Sequence, residues 1–395
     1  MDRRNFLKTA GASTTVYFAG LGIQLTQAGS EMPAHQPSDD ARLRVLQYAI
    51  RAPNSHNAQP WRIDLTPDLG MDLSVDRSRL LPATDPSARQ IHISQGTFLE
   101  LLDIAARQFG YAAEMRYFPD GEYSSDSIDD RRVAAITLGP DPSVAPDPLF
   151  PEIRRRQTNR RRYNFAGPLS AAEWTAIQSA PRTKNLRWRV TADEAQRDAI
   201  AGICQDAMRI EVSSPARNRE TAGWFRFSDP ELRQNRDGFG LAQSGTEGIK
   251  KWIAETFVLD RERAANPKGA FAQGAIASLA EQAGSAAAFA ALATATNTRL
   301  QQVLAGRAYA RVHLTASRLG LAMQPLSQAL EEYAEMAAPQ QQIKQALNIA
   351  DAHTVQMLFR LGHARPTPYS PRRDIAALIR QRPASENRTM GPSEG

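Results

Sequence analysis

Apolar residues recur along the chain at two spacings, and each predicts an element. Leu43, Leu46, Ala49 and Ile50 fall at i, i+3, i+6 and i+7. They form one face of a short helix that must stop before Pro53, because a proline disfavours helical backbone in the residue before it. Trp61 to Leu65 predicts a strand. Gln95 to Phe109 predicts an amphipathic helix with Leu99, Leu102, Ala106 and Phe109 on one face and Gly110 as its stop. Val133 to Leu138 predicts a second strand. Five prolines between Gly139 and Pro151 then mark a boundary, since proline interrupts helix and sheet alike.

The same pattern comes round again. Ala52-Pro53-Asn54-Ser55-His56-Asn57-Ala58-Gln59-Pro60-Trp61-Arg62-Ile63 is echoed, one residue shorter, by Ala180-Pro181-Arg182-Thr183-Lys184-Asn185-Leu186-Arg187-Trp188-Arg189-Val190. The helix from Gly96 to Gly110 is echoed by Gly306 to Gly320, with Leu99, Leu102 and Phe109 aligned to Tyr309, Val312 and Leu319. Two echoes in the same order predict an internal duplication. One half covers 41–150 and the other 151–395, each mixing helix and strand, which is the α+β class. Trp61 to Gly96 spans 35 positions but Trp188 to Gly306 spans 118, so the second copy carries an insertion of about 83 residues. Its place is roughly 208–291, and its alanine-rich end is expected to be helical.

Composition narrows the chemistry. At 395 residues the chain is long enough for two or three domains of ~150 residues, and 42% hydrophobic with 23% charged residues excludes wholesale disorder. The single cysteine, Cys204, excludes an intrachain disulfide and a zinc site of several thiolates, and no two of the six histidines stand at H-x-x-x-H spacing. Metal catalysis is therefore not expected. The net charge of +6 is concentrated, because 151–165 alone holds six arginines against Glu152. No aromatic stacking platform or helix-turn-helix accompanies that run, so a nucleic-acid partner is not expected.

At the N-terminus, Arg3-Arg4-Asn5-Phe6-Leu7-Lys8 precedes a mildly apolar stretch, Thr9 to Leu25, broken by three glycines and too weak for a stable membrane anchor. This resembles a twin-arginine export signal, with a small-residue cleavage site near Thr26-Gln27-Ala28. The resemblance implies a signal peptide over 1–28, a linker over 29–40, and export to the periplasm by the twin-arginine machinery of an already folded, cofactor-loaded protein.

Ala52 to Trp61 resembles the A-P-S-x-x-N-x-Q-P-W segment of the nitroreductase family of FMN-dependent flavoproteins, with Asn54 in place of the usual Ser. Taken without the family, the segment reads as a helix-to-strand turn whose short polar side chains can address a flat polar ring edge. Arg154 to Tyr163 resembles the family's R-x-S-x-R phosphate clamp, with Arg156, Thr158 and Arg160 on the named positions; taken alone, it also reads as a solvated basic surface. Tyr369-Ser370-Pro371-Arg372-Arg373 falls where the family places another basic residue for the phosphate. Gly320 to Gln328 resembles the G-L-x-x-x-P-x-E-G segment whose backbone amides address flavin N5, but Ser327 and Gln328 replace Glu and Gly.

The resemblance implies a nitroreductase-like fold that is a dimer fused into one chain and acts as a monomeric pseudo-dimer, the exported Acg-like branch. One complete FMN site is then expected, with Pro53, Asn54, Ser55 and Asn57 from the first half. The second half would supply Arg156, Thr158, Asn159, Arg160, Pro325, Leu326, Ser327, Gln328 and Arg372 or Arg373. The mirror site lacks the clamp and is expected to be empty. The implied activity is an FMN-dependent oxidoreductase passing electrons from a small-molecule donor to a nitroaromatic, quinone or similar acceptor. The alternative is a non-catalytic FMN-sequestering protein, with Trp224-Phe225-Arg226-Phe227 and Arg236 to Gly240 as a lid. Flavin fragmentation, as in a related branch, is a third reading.

Overall fold

The computed structural model describes residues 38–380 apart from 125–126, 165–166 and 182–185, so the stretch expected to be an export signal and most of the expected linker lie outside the described residues. Strands β1 (Trp61–Thr66), β2 (Gly70–Val75), β3 (Tyr111–Tyr117) and β4 (Ala134–Pro140) form one sheet in the order β1-β2-β4-β3. Strands β5 (Leu186–Thr191), β6 (Ala288–Thr294), β7 (Ala322–Pro325) and β8 (Thr354–Gly362) form a second in the order β5-β6-β8-β7. Every pairing is antiparallel. Strand for strand the two orders are the same, which fits a duplicated α+β architecture.

The helices are α1 (Ala41–Ala49), α2 (Arg89–Gln108), α3 (Ala171–Gln178), α4 (Glu194–Val212), α5 (Pro215–Trp224), α6 (Asp229–Asn235), α7 (Gly248–Ile253), α8 (Ala270–Gly284), α9 (Arg299–Arg318) and α10 (Ala337–Ala346). Helices α2 and α9 occupy equivalent places in the two halves and pack against each other at Gly96 and Gly306. A Cβ on Gly96 would lie 1.9 Å from the Val303 carbonyl oxygen, and one on Gly306 would lie 2.0 Å from that of Ile93. Only glycine permits such backbone approach. Each glycine meets the residue three before its counterpart, the reciprocal contact that a two-fold axis produces.

Two sequence expectations need correction. Helix α2 begins at Arg89, six residues before the expected Gln95, because the buried Asp85 carboxylate accepts from the amides of Gln90 (3.1 Å) and Ile91 (3.0 Å) and satisfies its first turn. The insertion spans 192–287, between β5 and β6, where β1 and β2 are joined by the turn 67–69. It therefore starts earlier than 208, with α4, and ends earlier than 291. The alanine-rich stretch at its expected end is strand β6, all seven of whose residues are buried. Its Phe289, Ala291 and Ala293 pack with the insertion helices, while Ala288, Ala290 and Leu292 pack with α9. A strand covered on both faces shows no alternation, and alanines then mimic helix composition.

After β8 the chain crosses back onto the first half. Asn164 donates to the His363 carbonyl, Ile379 bridges Ile63 at the open edge of β1, and Leu378 enters the first-half core. This arm, with the α2–α9 contact, joins the halves and carries Arg372 to the site.

Candidate functional site

The site forms where α1 ends. The chain must leave the helix before Pro53, and the carbonyls it frees at Ile50 and Arg51 lie at the negative end of the helix dipole. Both accept from second-half arginines: Arg156 Nη2 donates to Arg51 O at 2.9 Å and Arg372 Nε to Ile50 O at 2.8 Å. The clamp segment is set by β7, since Thr158 bridges Met323 and the Asn159 amide donates to Met323 O at 3.0 Å. Arg51, Arg156, Arg160 and Arg372 converge with Asn54 and Thr158 on a recess of about 60 Å³ whose lining includes no carboxylate. Burial, reinforced by mutual repulsion, pushes Arg372 down to about 9 and Arg156 and Arg51 each to about 10; burial lowers Arg160 as well. Arg156 Nε and Nη1 are buried with no hydrogen-bond partner. Four guanidiniums without a counter-charge, one with open donors, form a receptor for a dianion such as a phosphate.

The loop after Pro53 borders this recess. His56, Asn57 and Gln59 all have positive φ, at 51°, 52° and 55°, a strain that persists only where surroundings enforce it. Here the Gln59 amide donates to Asn54 Oδ1 at 2.8 Å, and Asn57 Nδ2 donates to Gly238 O at 2.9 Å and Pro371 O at 3.0 Å. Asn57 Oδ1, also buried, has no partner. Burial pulls His56 down to about 4, so its ring is neutral.

Beyond the recess a cavity of about 430 Å³ opens, lined by Pro53 to His56, Gln90 and Ser94 of α2, Thr158 and Arg160, and Pro325, Ser327 and Gln328 after β7. Its apolar wall comes from the insertion, with Phe225, Phe239 and Phe271. The two expected lid segments pair with each other: Phe225 bridges Phe239, and the Arg226 amide donates to Phe239 O at 2.8 Å. They are also tied to the first half, by Asp237 between Arg79 (3.0 Å) and Arg226 and by Gln59 Nε2 donating to Arg236 O at 2.9 Å.

Three expected site residues stand elsewhere. Asn159 is spent on the Arg365 carbonyl and the Arg161 amide, Leu326 lies in the apolar core, and Arg373 turns to Asp76 and the carbonyls of Gln59 and Ala377. Arg372 alone of the pair reaches the recess. Sequence reasoning missed Arg51 and His56. Arg51 directly precedes the matched loop, and His56 occupies a motif position that accepts any residue, so neither carried a signal of its own. Carboxyls of Glu211 and Glu331 on the cavity wall were likewise unsignalled.

At the symmetry-related place, Thr97 of α2 corresponds to Arg307 of α9. Arg307 is paired with Glu100 and Asp103 and donates to the Tyr117 hydroxyl. Arg42 is held by Asp40 and Thr66 O. The equivalent loop, residues 182–185 including Asn185, lies outside the described residues.

With this geometry in view, the chain can be set beside known proteins. It is 29% identical over 360 residues, 88% of this chain and 93% of the relative, to "Putative NAD(P)H nitroreductase Rv3131" of Mycobacterium tuberculosis strain H37Rv. It is 28% identical over 362 residues, 89% of this chain and 98% of the relative, to "Putative NAD(P)H nitroreductase acg" of the same organism. These relatives support the nitroreductase family. Both span the two halves and the insertion together. Among solved structures, that of the FMN and NADPH-dependent nitroreductase NfnB from "sphigopyxis sp. strain HMH" is 17% identical and covers 60% of this chain and 99% of that one. Its TM-score of 0.36 is a likeness too partial to bear on function. No family model matches the chain.

Proposed function

We propose that the chain is an FMN-dependent oxidoreductase of the nitroreductase type, reducing an aromatic acceptor at the expense of a nicotinamide-type donor. One observation carries the reading: a buried arginine cluster with no counter-charge opens onto an apolar cavity large enough for a flat ring. Arg51, Arg156, Arg160 and Arg372 would hold the phosphate, while the 53–57 loop and the Pro325–Gln328 segment would border the ring. When bound, FMN supplies the hydride-transfer chemistry. The chain's own part is to fix the ring, exclude water with Phe225, Phe239 and Phe271, and admit a planar acceptor between ring and insertion.

The fusion extends the proposal: each half contributes one side of a single site, and the first half offers only Arg42, already paired with Asp40, for a second one. Export by the twin-arginine route belongs to it as well. Lysines at Arg3 and Arg4 together are expected to strand the protein in the cytoplasm, read by fractionation and blotting; unchanged export would remove that part. The pinned lid favours a second reading, a closed FMN carrier. Anaerobic titration separates the two. An enzyme is bleached by NADPH and by dithionite and is reoxidised by a quinone. A carrier is bleached by dithionite alone and is not reoxidised by the quinone.

A further inference from the structure

A line of hydrogen-bonded side chains runs along the cavity wall from the 53–57 loop to carboxyls that hold neither phosphate nor ring. His56 Nδ1 and Ser55 Oγ are 3.2 Å apart, Ser55 Oγ donates to Gln90 Oε1 at 3.2 Å, and Gln90 Nε2 donates to Glu331. Glu211, from α4 of the insertion, is hydrogen-bonded to Gln328 beside it. Ser55, Gln90, Gln328, Glu331 and Glu211 all line the same cavity. The first half, the second half and the insertion thus each contribute to one polar strip in an otherwise apolar wall. The Tyr309 hydroxyl, on the same cavity and almost wholly buried, has no hydrogen-bond partner among the described residues, so the cavity offers a polar group for a ligand to meet.

We propose that Glu331, with Glu211 as its neighbour, is the proton donor for acceptor reduction, which makes the acceptor a planar conjugated molecule, such as a quinone, whose oxygens take protons as they take electrons. The proposal rests on the oxidoreductase reading above. A quinone would take two electrons and one proton together, as a hydride from the reduced FMN of the reading above, at one oxygen. The Glu331 O–H bond breaks as the second quinone oxygen gains that proton, the bonding pair stays on the carboxylate, and solvent reprotonates it.

The surroundings favour a stored proton. Glu331 faces Asp85 and Gln90 at the start of α2, Arg89 of the same helix, and Glu211 of α4. Glu211 in turn faces Arg217 and Glu220 of α5. Arg217 lies over the Tyr333 ring and pairs with Glu335, and Arg89 is drawn to the carbonyls of Leu330, Val355 and Gln356 and to Glu332. Three buried carboxyls so placed do not all ionise. Burial holds Glu331 well above the ordinary carboxyl range and Glu211 at about 7, with Asp85 at about 6. Glu331 thus keeps its proton to a higher pH than an ordinary carboxyl and loses it as the pH rises further.

The test uses the FMN-loaded full chain and its Glu331→Gln and Glu211→Gln variants. Each is reduced anaerobically and mixed with p-benzoquinone or with ferricyanide, which takes electrons without protons. Glu331→Gln is expected to slow quinone reoxidation by at least ~tenfold and to abolish its decline with rising pH, with ferricyanide reoxidation and FMN affinity unchanged. Infrared spectra of the oxidised protein should lose a protonated-carboxyl C=O band in the same variant. An unchanged quinone rate, equal slowing with both oxidants, or no such band would each overturn the proposal. If wild type reacts with ferricyanide but never with quinone, the oxidoreductase reading fails instead, and the proton donor falls with it.

Discussion

Arg51 and Arg373 are each separated by one residue or fewer from matched motif positions, yet only Arg51 faces the recess. Arg373 turns away to Asp76 at 3.4 Å, a carboxylate it shares with Arg62 and Arg79, whereas the recess that Arg51, Arg156 and Arg372 line includes no carboxylate among the described residues. Arg156→Ala should therefore cost about 3 kcal/mol of FMN affinity, on the order of a hundredfold in Kd, and Arg51→Ala should also weaken binding clearly. Arg373→Ala should leave Kd within about threefold. Fluorescence titration of the apoprotein reads all three, and a strong effect of Arg373→Ala would mean the clamp has been placed wrongly. Asn57→Ala removes one unpartnered acceptor together with two bonds to the lid and the C-terminal arm, so an affinity loss of about 1 kcal/mol, roughly fivefold, is the least expected from the same titration. The loop and the arginine run stand out in the sequence because short polar side chains and clustered guanidiniums suit a ring edge and a phosphate. Which neighbouring guanidinium points inward depends on whether a carboxylate from a distant strand, here Asp76 at the end of β2, has claimed it. No local pattern encodes that.

Among the elements, α2 and α9 bear most on the account because their crossing sets the two halves in register. Alanine at Gly306 would place a methyl 2.0 Å from the Ile93 carbonyl and force the helices apart. Gly306→Ala is expected to destabilise by about 3 kcal/mol or more, while Gly202→Ala, inside α4 with nothing within 4 Å, should stabilise by about 0.5–1 kcal/mol. Urea denaturation of both variants checks this, and a neutral Gly306→Ala would contradict the close crossing. The glycine echo was readable because close packing constrains residue type. Strand β6 was not, because burial on both faces erased its period and its alanines carry helix propensity. The early start of α2 was hidden for a related reason: its first turn is satisfied by Asp85 from outside the helix, and its polar residues, partly buried Gln90 and buried Ser94, face a cavity rather than the core.

At the scale of the molecule, the claim is that two homologous halves make one cofactor site rather than two. The first half supplies the loop, Arg51 and the carbonyls that end α1. The second half supplies Arg156, Arg160 and, on an arm that reaches across, Arg372. In the first half Arg42 is already paired with Asp40, and a dianion bound there would have to displace that carboxylate and would lose several kcal/mol of solvation without recovering it. The two echoes foretold the repeated strand order, which fits a duplication. The expectation of a single site rests on the arginines missing from the first half. The most direct test is to count flavin: the purified chain, saturated with FMN and freed of excess, is assayed for flavin absorbance against protein concentration, alongside Arg156→Ala with Arg160→Ala. One FMN per chain, lost in the double variant, is the predicted result. Two tightly held FMN per chain, or one retained by the double variant, would contradict it.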